Sequence, residues 1–459
     1  MLLLDHIVAM PRPKQENRCQ TCRIRKVKCD GTFPVCQTCR KSGRVCERSF
    51  RSPVSSHRTT ESPELLLEEL RQQGGSFSDL PSPDYPRHAL RDPRIASTFR
   101  HYISSLAPWY DLNDRLRRFE DTVPLYALSN PLLFSAVLAF SAVHLARLLP
   151  SHTEFQYIAE FYHLESVRRL IAITDNRNDE LVRDEATLAS TCLLRSYEIL
   201  AQSVGSQSHL HGSFSFLVGQ QINLGSDLLS AGFWNYLRED ITVALIDKRP
   251  LKIDLSTVWM PRPVEDDDWS NMISLLLGKV INICLGDDAR TVSFSEWKSL
   301  KDQVDEWRRS LPASFEPVSP LPTGGHPKSS FPELWLFRGW HIAGLQYYHT
   351  AMTILTLSEP GSASLNAWRR TLQMQNIHRE LEYHAVQLCA LAISNDSSAA
   401  RVNAFGPISF CGVWIKDPAQ RNELLSGLRE WEKTIAWPVE AIVRALSTSW
   451  SIESLDSSG

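Results

Sequence analysis

The chain has little that would mark it for export or for a membrane. Its first ten residues, "MLLLDHIVAM", have no basic start, an apolar run broken by Asp5 and His6, and no small-residue cleavage site. No signal peptide is therefore expected. The one apolar run near membrane length, "PLLFSAVLAFSAVHLARLLP", carries His144 and Arg147 and ends in Pro150, so it is expected as a buried core helix, with no membrane partner. Without a secretory signal the ten cysteines face a reducing compartment, which argues against a disulfide framework.

Catalytic signatures are also missing. There is no H-E-x-x-H, no G-x-S-x-G and no G-x-x-x-x-G-K-[ST]. "TGGHPKSS" from Thr323 lacks the glycine before the lysine and sits in a proline-rich stretch with no strand before it. The histidine pair in "HLHG" from His209 is expected to be structural, and Cys192, Cys284, Cys389 and Cys411 sit in apolar helical contexts as core residues. "EDDDW" from Glu265 is expected as a solvated loop rather than an acidic activation patch. No enzyme is expected. Alternating strand-like runs are scarce too, which excludes a β-rich body.

What the chain does have is a segregated charge. Between Pro11 and Arg51 twelve Lys and Arg face only Glu16, Asp30 and Glu47, a local net charge of +9 on a chain whose formal total is −3. A basic arm on an acidic body points to a polyanionic partner for the arm alone. The same arm holds six of the ten cysteines, as two copies of C-x2-C-x6-C separated by six residues: Cys19, Cys22, Cys29 and Cys36, Cys39, Cys46. A C-x2-C pair places two thiolates on one metal, and zinc takes four ligands in a tetrahedron. One zinc would leave two cysteines idle and two independent zincs would need eight. Six thiolates satisfy two zincs only if two sulfurs bridge, and each half of the repeat offers three. The cluster then carries a formal charge of about −2, which nearby Lys and Arg stabilise while lowering thiol pKa values. Asp30-Gly31 supplies a turn and Pro34 stiffens the return to Cys36. A single four-cysteine iron–sulfur cluster would explain the duplication poorly.

The two halves differ. "RIRKVK" after Cys22 has four cations and no helix breaker, whereas "RKSGRV" after Cys39 has three cations and Gly43 in its middle. Short helices are expected after both pairs, and the first is the better reader of a DNA major groove. Lys or Arg there donates to guanine O6 and N7; other cations hold phosphates. Arg23 and Lys28 are the phosphate candidates.

These first 50 residues resemble the fungal zinc binuclear cluster (Zn2Cys6) transcription factors, down to the basic run between the second and third cysteines and the proline before the fourth. The resemblance implies bridging by Cys19 and Cys36, with one zinc on Cys19, Cys22, Cys29 and Cys36 and the other on Cys19, Cys36, Cys39 and Cys46. It further implies Arg25 and Lys26 as base readers, CGG triplets as the target, RNA polymerase II genes as the setting, and a nuclear location. A zinc-stabilised interaction scaffold without DNA sequence specificity remains the alternative; it would keep the cysteines but not need so many cations.

After Ser49 the chain turns rich in Ser, Pro and Gly, a linker composition. Within it "ELLLEELRQQ" is bracketed by Pro63 and Gly74-Gly75 and spans too few heptads for a dimerising coiled coil. Beyond Pro93 the pattern is helical. Ser129-Asn130-Pro131 reads as a helix start, and "DEATLASTCLLRSYEIL", "FWNYLREDITVALIDKRP", "WLFRGWHIAGLQYYHTAMTIL", "HRELEYHAVQLCALAIS" and "RNELLSGLREWEKTIAWPVEAIVRAL" give helix-period apolar residues. "LLFSAVLAFSAVHLA", "HLHGSFSFL" and "FWNYLREDITVALIDKRPLKID" resemble the fungal-specific regulatory domain that accompanies many zinc clusters, which implies a partner- or effector-responsive body. The expected organisation is mainly α: a disordered 1–14, a cluster domain over 15–50, a linker over 51–92 and an all-α regulatory domain over 93–455. Expected partners are double-stranded DNA, a second copy through the helical domain, and a small-molecule effector or co-regulator.

Overall fold

A computed structural model describes residues 22, 25, 27–29, 37–42, 79–175, 184–201, 227–255, 258, 260–286, 292–318, 329–360 and 367–456. The chain divides into two compact units, Met1–Thr60 and Glu61–Gly459. Among the described residues there is no strand, only an isolated bridge between Val318 and Trp335.

The principal helices of the large unit are α1 (Pro93–His101), α2 (Pro131–Leu148), α3 (Glu154–Asp175), α4 (Glu185–Ala201), α5 (Leu228–Asp247), α6 (Asp266–Cys284), α7 (Phe294–Arg309), α8 (Gly339–Leu357), α9 (Ala367–Ile393), α10 (Ser398–Cys411), α11 (Pro418–Ile435) and α12 (Glu440–Asp456). Local chemistry starts several of them. The Asp92 carboxylate accepts from Arg94 N at 2.8 Å with Pro93 opening α1. Asn130 Oδ1 accepts from Leu133 N at 3.0 Å before Pro131 in α2. Ser293 and Glu296 close a reciprocal capping box on α7.

The "EDDDW" run corrects the expectation of a solvated loop. It is the start of α6, where Asp268 accepts from Val264 N and Glu265 N, both at 3.0 Å. Asp267 accepts from Arg115 N at 3.2 Å and Asp266 lies 2.8 Å from His341 Nε2. Acidic side chains gather there because a helix start presents unpaired N–H groups and the positive end of its dipole.

α2 is buried on every side from Leu132 to His144 and packs against α3 and α4. By length and composition it could cross a membrane, but 72% of that stretch is buried inside the protein, as expected of a core helix. α5 is enclosed almost as completely, with α4, α6 and α10 around it. Its contact with α10 needs glycine: a Cβ on Gly406 would stand 2.7 Å from Thr242 Cα. α8 packs between α6 and α9.

The large unit begins before Pro93. Tyr162 Oη donates to Pro81 O at 2.8 Å, Arg169 pairs with Asp84 at 2.8 Å, and Ala89 is fully buried. Residues 80–92, expected in the linker, therefore pack on the helical body. Prolines and turns made that stretch read as linker, and buried contacts hold it down.

Of the four cysteines expected in the core, Cys192, Cys389 and Cys411 are fully buried and Cys284 is half-buried. Burial pushes the Cys411 thiol up to about 12, against hydrogen bonds from Thr353 and Thr350. At the end of "TGGHPKSS", Ser329 Oγ, Ser330 N and Ser330 Oγ donate to the Glu423 carboxylate at 2.6, 2.7 and 2.6 Å. These donors hold a side chain of α11. "HLHG" lies outside the described residues.

Candidate metal centre and nucleic-acid interface

In the small unit the internal repeat folds so that thiols meet. Cys22 and Cys39, the second cysteines of the two C-x2-C pairs, are fully buried with their Sγ atoms 3.8 Å apart; Cys29 is buried beside them and Val27 packs on the group. Soft, buried thiols drawn together from both halves are a donor set that fits zinc. The resemblance puts Cys22 and Cys39 on different zincs; their contact shows only that both halves deliver thiols to one place. Cys19, Cys36 and Cys46 lie outside the described residues, and among the described residues no group of three or more His, Cys, Asp or Glu is placed to hold a metal.

Local hydrogen bonds shape each half, and one joins them. Val27 N donates to Cys22 O at 3.1 Å, and Ser42 N to Cys39 O at 3.2 Å. Thr38 Oγ1 reaches across to Lys28 O at 3.0 Å. Thr38 was not singled out from sequence, although it sits inside the repeated "CQTCR", where its partner Thr21 also stands.

The second-half helix runs Gln37–Lys41, so it takes in Cys39 rather than following it. It stops before Gly43. In the first half Cys22 is helical, Arg25 lies in a turn, and Val27–Cys29 is irregular. In the second half the expected helix thus starts earlier, taking in Cys39 itself.

Thiols face in and cations face out: Arg25, Lys28, Arg40 and Lys41 are all exposed. Arg23 and Lys26 lie outside the described residues. An exposed cationic shell over a metal-binding interior can neutralise phosphates and present donors to base edges.

Residues 18–54 match the fungal Zn(2)-Cys(6) binuclear cluster domain, and residues 97–221 match the fungal specific transcription factor domain. This chain carries a fungal Zn(2)-Cys(6) binuclear cluster domain. Its cluster domain binds two zinc ions. Zinc supplies cross-links there that a unit of this size cannot obtain from apolar burial. Over 345 residues the chain is 24% identical to "Transcription activator AMTR1" of Alternaria alternata, covering 60% of this chain and 45% of that one. It is 30% identical over 142 residues to "Zn(2)-C6 fungal-type transcription factor afumD" of Aspergillus fumigatus, covering 30% and 34%. Over 44 residues it is 58% identical to "Sorbicillinoid biosynthetic cluster transcription factor sor3" of Hypocrea jecorina, covering 10% and 7%. The chain covers less than half the length of each of these relatives. No solved structure matches it.

Proposed function

We propose that this Zn(2)-Cys(6) protein is a sequence-specific DNA-binding transcription regulator of RNA polymerase II genes, acting in the nucleus and reading CGG-type triplets. The observation that carries this reading is the small unit's layout, buried thiols under exposed Arg and Lys. One zinc takes Cys19, Cys22, Cys29 and Cys36, the other Cys19, Cys36, Cys39 and Cys46, with Cys19 and Cys36 bridging. Arg25 and Lys26 read bases; Arg23 and Lys28 hold phosphates. The relatives' names support a role in transcription, and the absence of catalytic signatures in the sequence supports a non-enzymatic one. The helical unit serves for assembly of two copies and for response to an effector or co-regulator.

Competition binding at two salt concentrations tests the DNA reading. Lys26→Ala should narrow the gap between CGG and mutated triplets by about 1–3 kcal/mol. Arg23→Ala should weaken all sequences alike and lower the salt slope by about one. Equal affinity of the wild type for CGG and scrambled duplexes would instead favour an interaction scaffold.

A further inference from the structure

The large unit holds a cavity of about 60 Å³ between the helical turn Ala107–Tyr110, α4, α5 and α10. At 10–15 Å³ per enclosed water, that is room for about four to six heavy atoms. The rings of Trp109 and Trp437 line it, together with Asn235, Arg238, Glu239 and Asn403.

Its polar groups are unbalanced. Arg238 is only 8% exposed, and one of its amines donates to Tyr110 O at 2.9 Å and also contacts Asn235 Oδ1. Among the described residues it forms no ion pair with a carboxylate. Glu239, the acid beside it in sequence, lies 3.3 Å from Ser196 Oγ, and burial pushes its carboxyl up to about 8. It is therefore mostly neutral at pH 7, and Asp111 and Asp114 act on the guanidinium through space without an ion pair. The indole Nε1 atoms of Trp109 and Trp437 are buried with no hydrogen-bond partner among the described residues. Asn403 donates from Nδ2 to Gln346 Oε1 at 3.0 Å, and neither indole N–H is hydrogen-bonded to its Oδ1. Buried N–H groups left unpaired, beside a buried cation with no carboxylate in direct contact, are costly features that a fold retains when something else completes them.

We propose that this cavity is an effector site for a short-chain monocarboxylate, taken up by Arg238 and the two indole N–H groups between the aromatic walls. A planar anion with two acceptor oxygens suits a guanidinium fork. Water supplies acceptors but no charge, and the aromatic walls suit a short apolar tail. The inference adds a ligand class to the effector reading of the helical unit. It does not depend on the DNA reading, because binding is measured without DNA.

The full-length, zinc-loaded protein is titrated by calorimetry at pH 7 and constant ionic strength with acetate, propionate, propionamide and phosphate, with thermal unfolding recorded alongside. Acetate or propionate should bind and raise the unfolding temperature of the large unit, while propionamide and phosphate do neither. Trp437→Phe and Trp109→Phe keep the ring and remove the donor. Each should weaken carboxylate binding about tenfold or more while leaving the ligand-free unfolding temperature close to wild type. No response of the wild type to either carboxylate would overturn the site and leave a water-filled cavity. So would equal responses to propionate and propionamide, or unchanged binding in both Trp variants.

Discussion

Among the described residues of the small unit, three cysteines form the buried cluster and one valine packs against it, whereas the large unit encloses whole helices such as α2 and α5 in apolar neighbours. One is organised around a metal-binding interior, the other around burial. The difference lies in length: a few tens of residues cannot remove enough surface from water, and a few hundred can. It also decides where charge goes. The small unit keeps Arg25, Lys28, Arg40 and Lys41 outside, free to meet a polyanion. The large unit buries Arg238 and Asp240; Asp240 Oδ2 accepts from Lys252 N at 2.6 Å and Ile253 N at 3.2 Å, and its Oδ1 lies 3.5 Å from Arg249.

The contrast can be broken outright by chelation. A strong zinc chelator should abolish the fold of the small unit and DNA binding with it, while the helical far-UV signal and thermal transition of the large unit persist. A single transition lost together on chelation would show that the two units are not held by different means. The reverse experiment targets the core. Trp307 is 2% exposed, stacks on Tyr348 and donates from Nε1 to Trp269 O at 2.8 Å. Trp307→Ala should destabilise the large unit by about 3–5 kcal/mol in denaturant unfolding, with zinc content unchanged.

Much of this contrast was legible in the sequence, for reasons that also mark where legibility ends. The start of α2 at Asn130-Pro131 and its all-apolar course are local signals, and they sit where expected. The thiol repeat carries its own chemistry. The acidic run at Glu265 misled because three aspartates in a row resemble a solvated loop until a helix start claims them. The stretch 80–92 misled because its prolines say nothing about Tyr162, a partner far along the chain. Arg238 and Trp437 carry no local mark at all; α5 packs on α10, and Trp437, between α11 and α12, stacks on Phe405 of α10, which brings both to one cavity.

A pH experiment sharpens the comparison further, since burial also perturbs titration. His349 and His384 face each other through their Nδ1 atoms at 2.8 Å. Burial, then the neighbouring His384 and Arg308, hold His349 well below its ordinary value. Burial and Lys301 push His384 down to about 4. Their stabilising contribution is present above about pH 6.5, the unfolded value, and is lost as pH falls toward 4. Asp111 and Glu239, raised by burial to about 7 and about 8, have the opposite slope. Comparison with a variant isolates the pair: wild type should lose about 2 kcal/mol more than His384→Gln between pH 7 and 4. Parallel pH curves would show that the pair titrates normally.

The smallest expected effect concerns a charge at the edge of the large unit, where burial should matter least. Glu423 on α11 receives Ser329 Oγ, Ser330 N and Ser330 Oγ, and Gln420 Nε2 donates to Ser330 O at 3.0 Å. Burial pushes its carboxyl up, but the serine donors outweigh that and hold it below its ordinary value. A lowered carboxyl contributes stability above the ordinary carboxylate range and loses it as pH falls through the folded-state value. Glu423→Gln keeps the shape and removes the charge. The site is partly solvated, so the charged hydrogen bonds are discounted to a loss of about 1 kcal/mol or less at pH 7. That difference should vanish in acid, where the wild-type carboxyl is protonated as well. Chemical denaturation of both proteins at neutral and acid pH measures it. A loss that persisted unchanged in acid would mean that shape, not charge, joins the serine pair to α11.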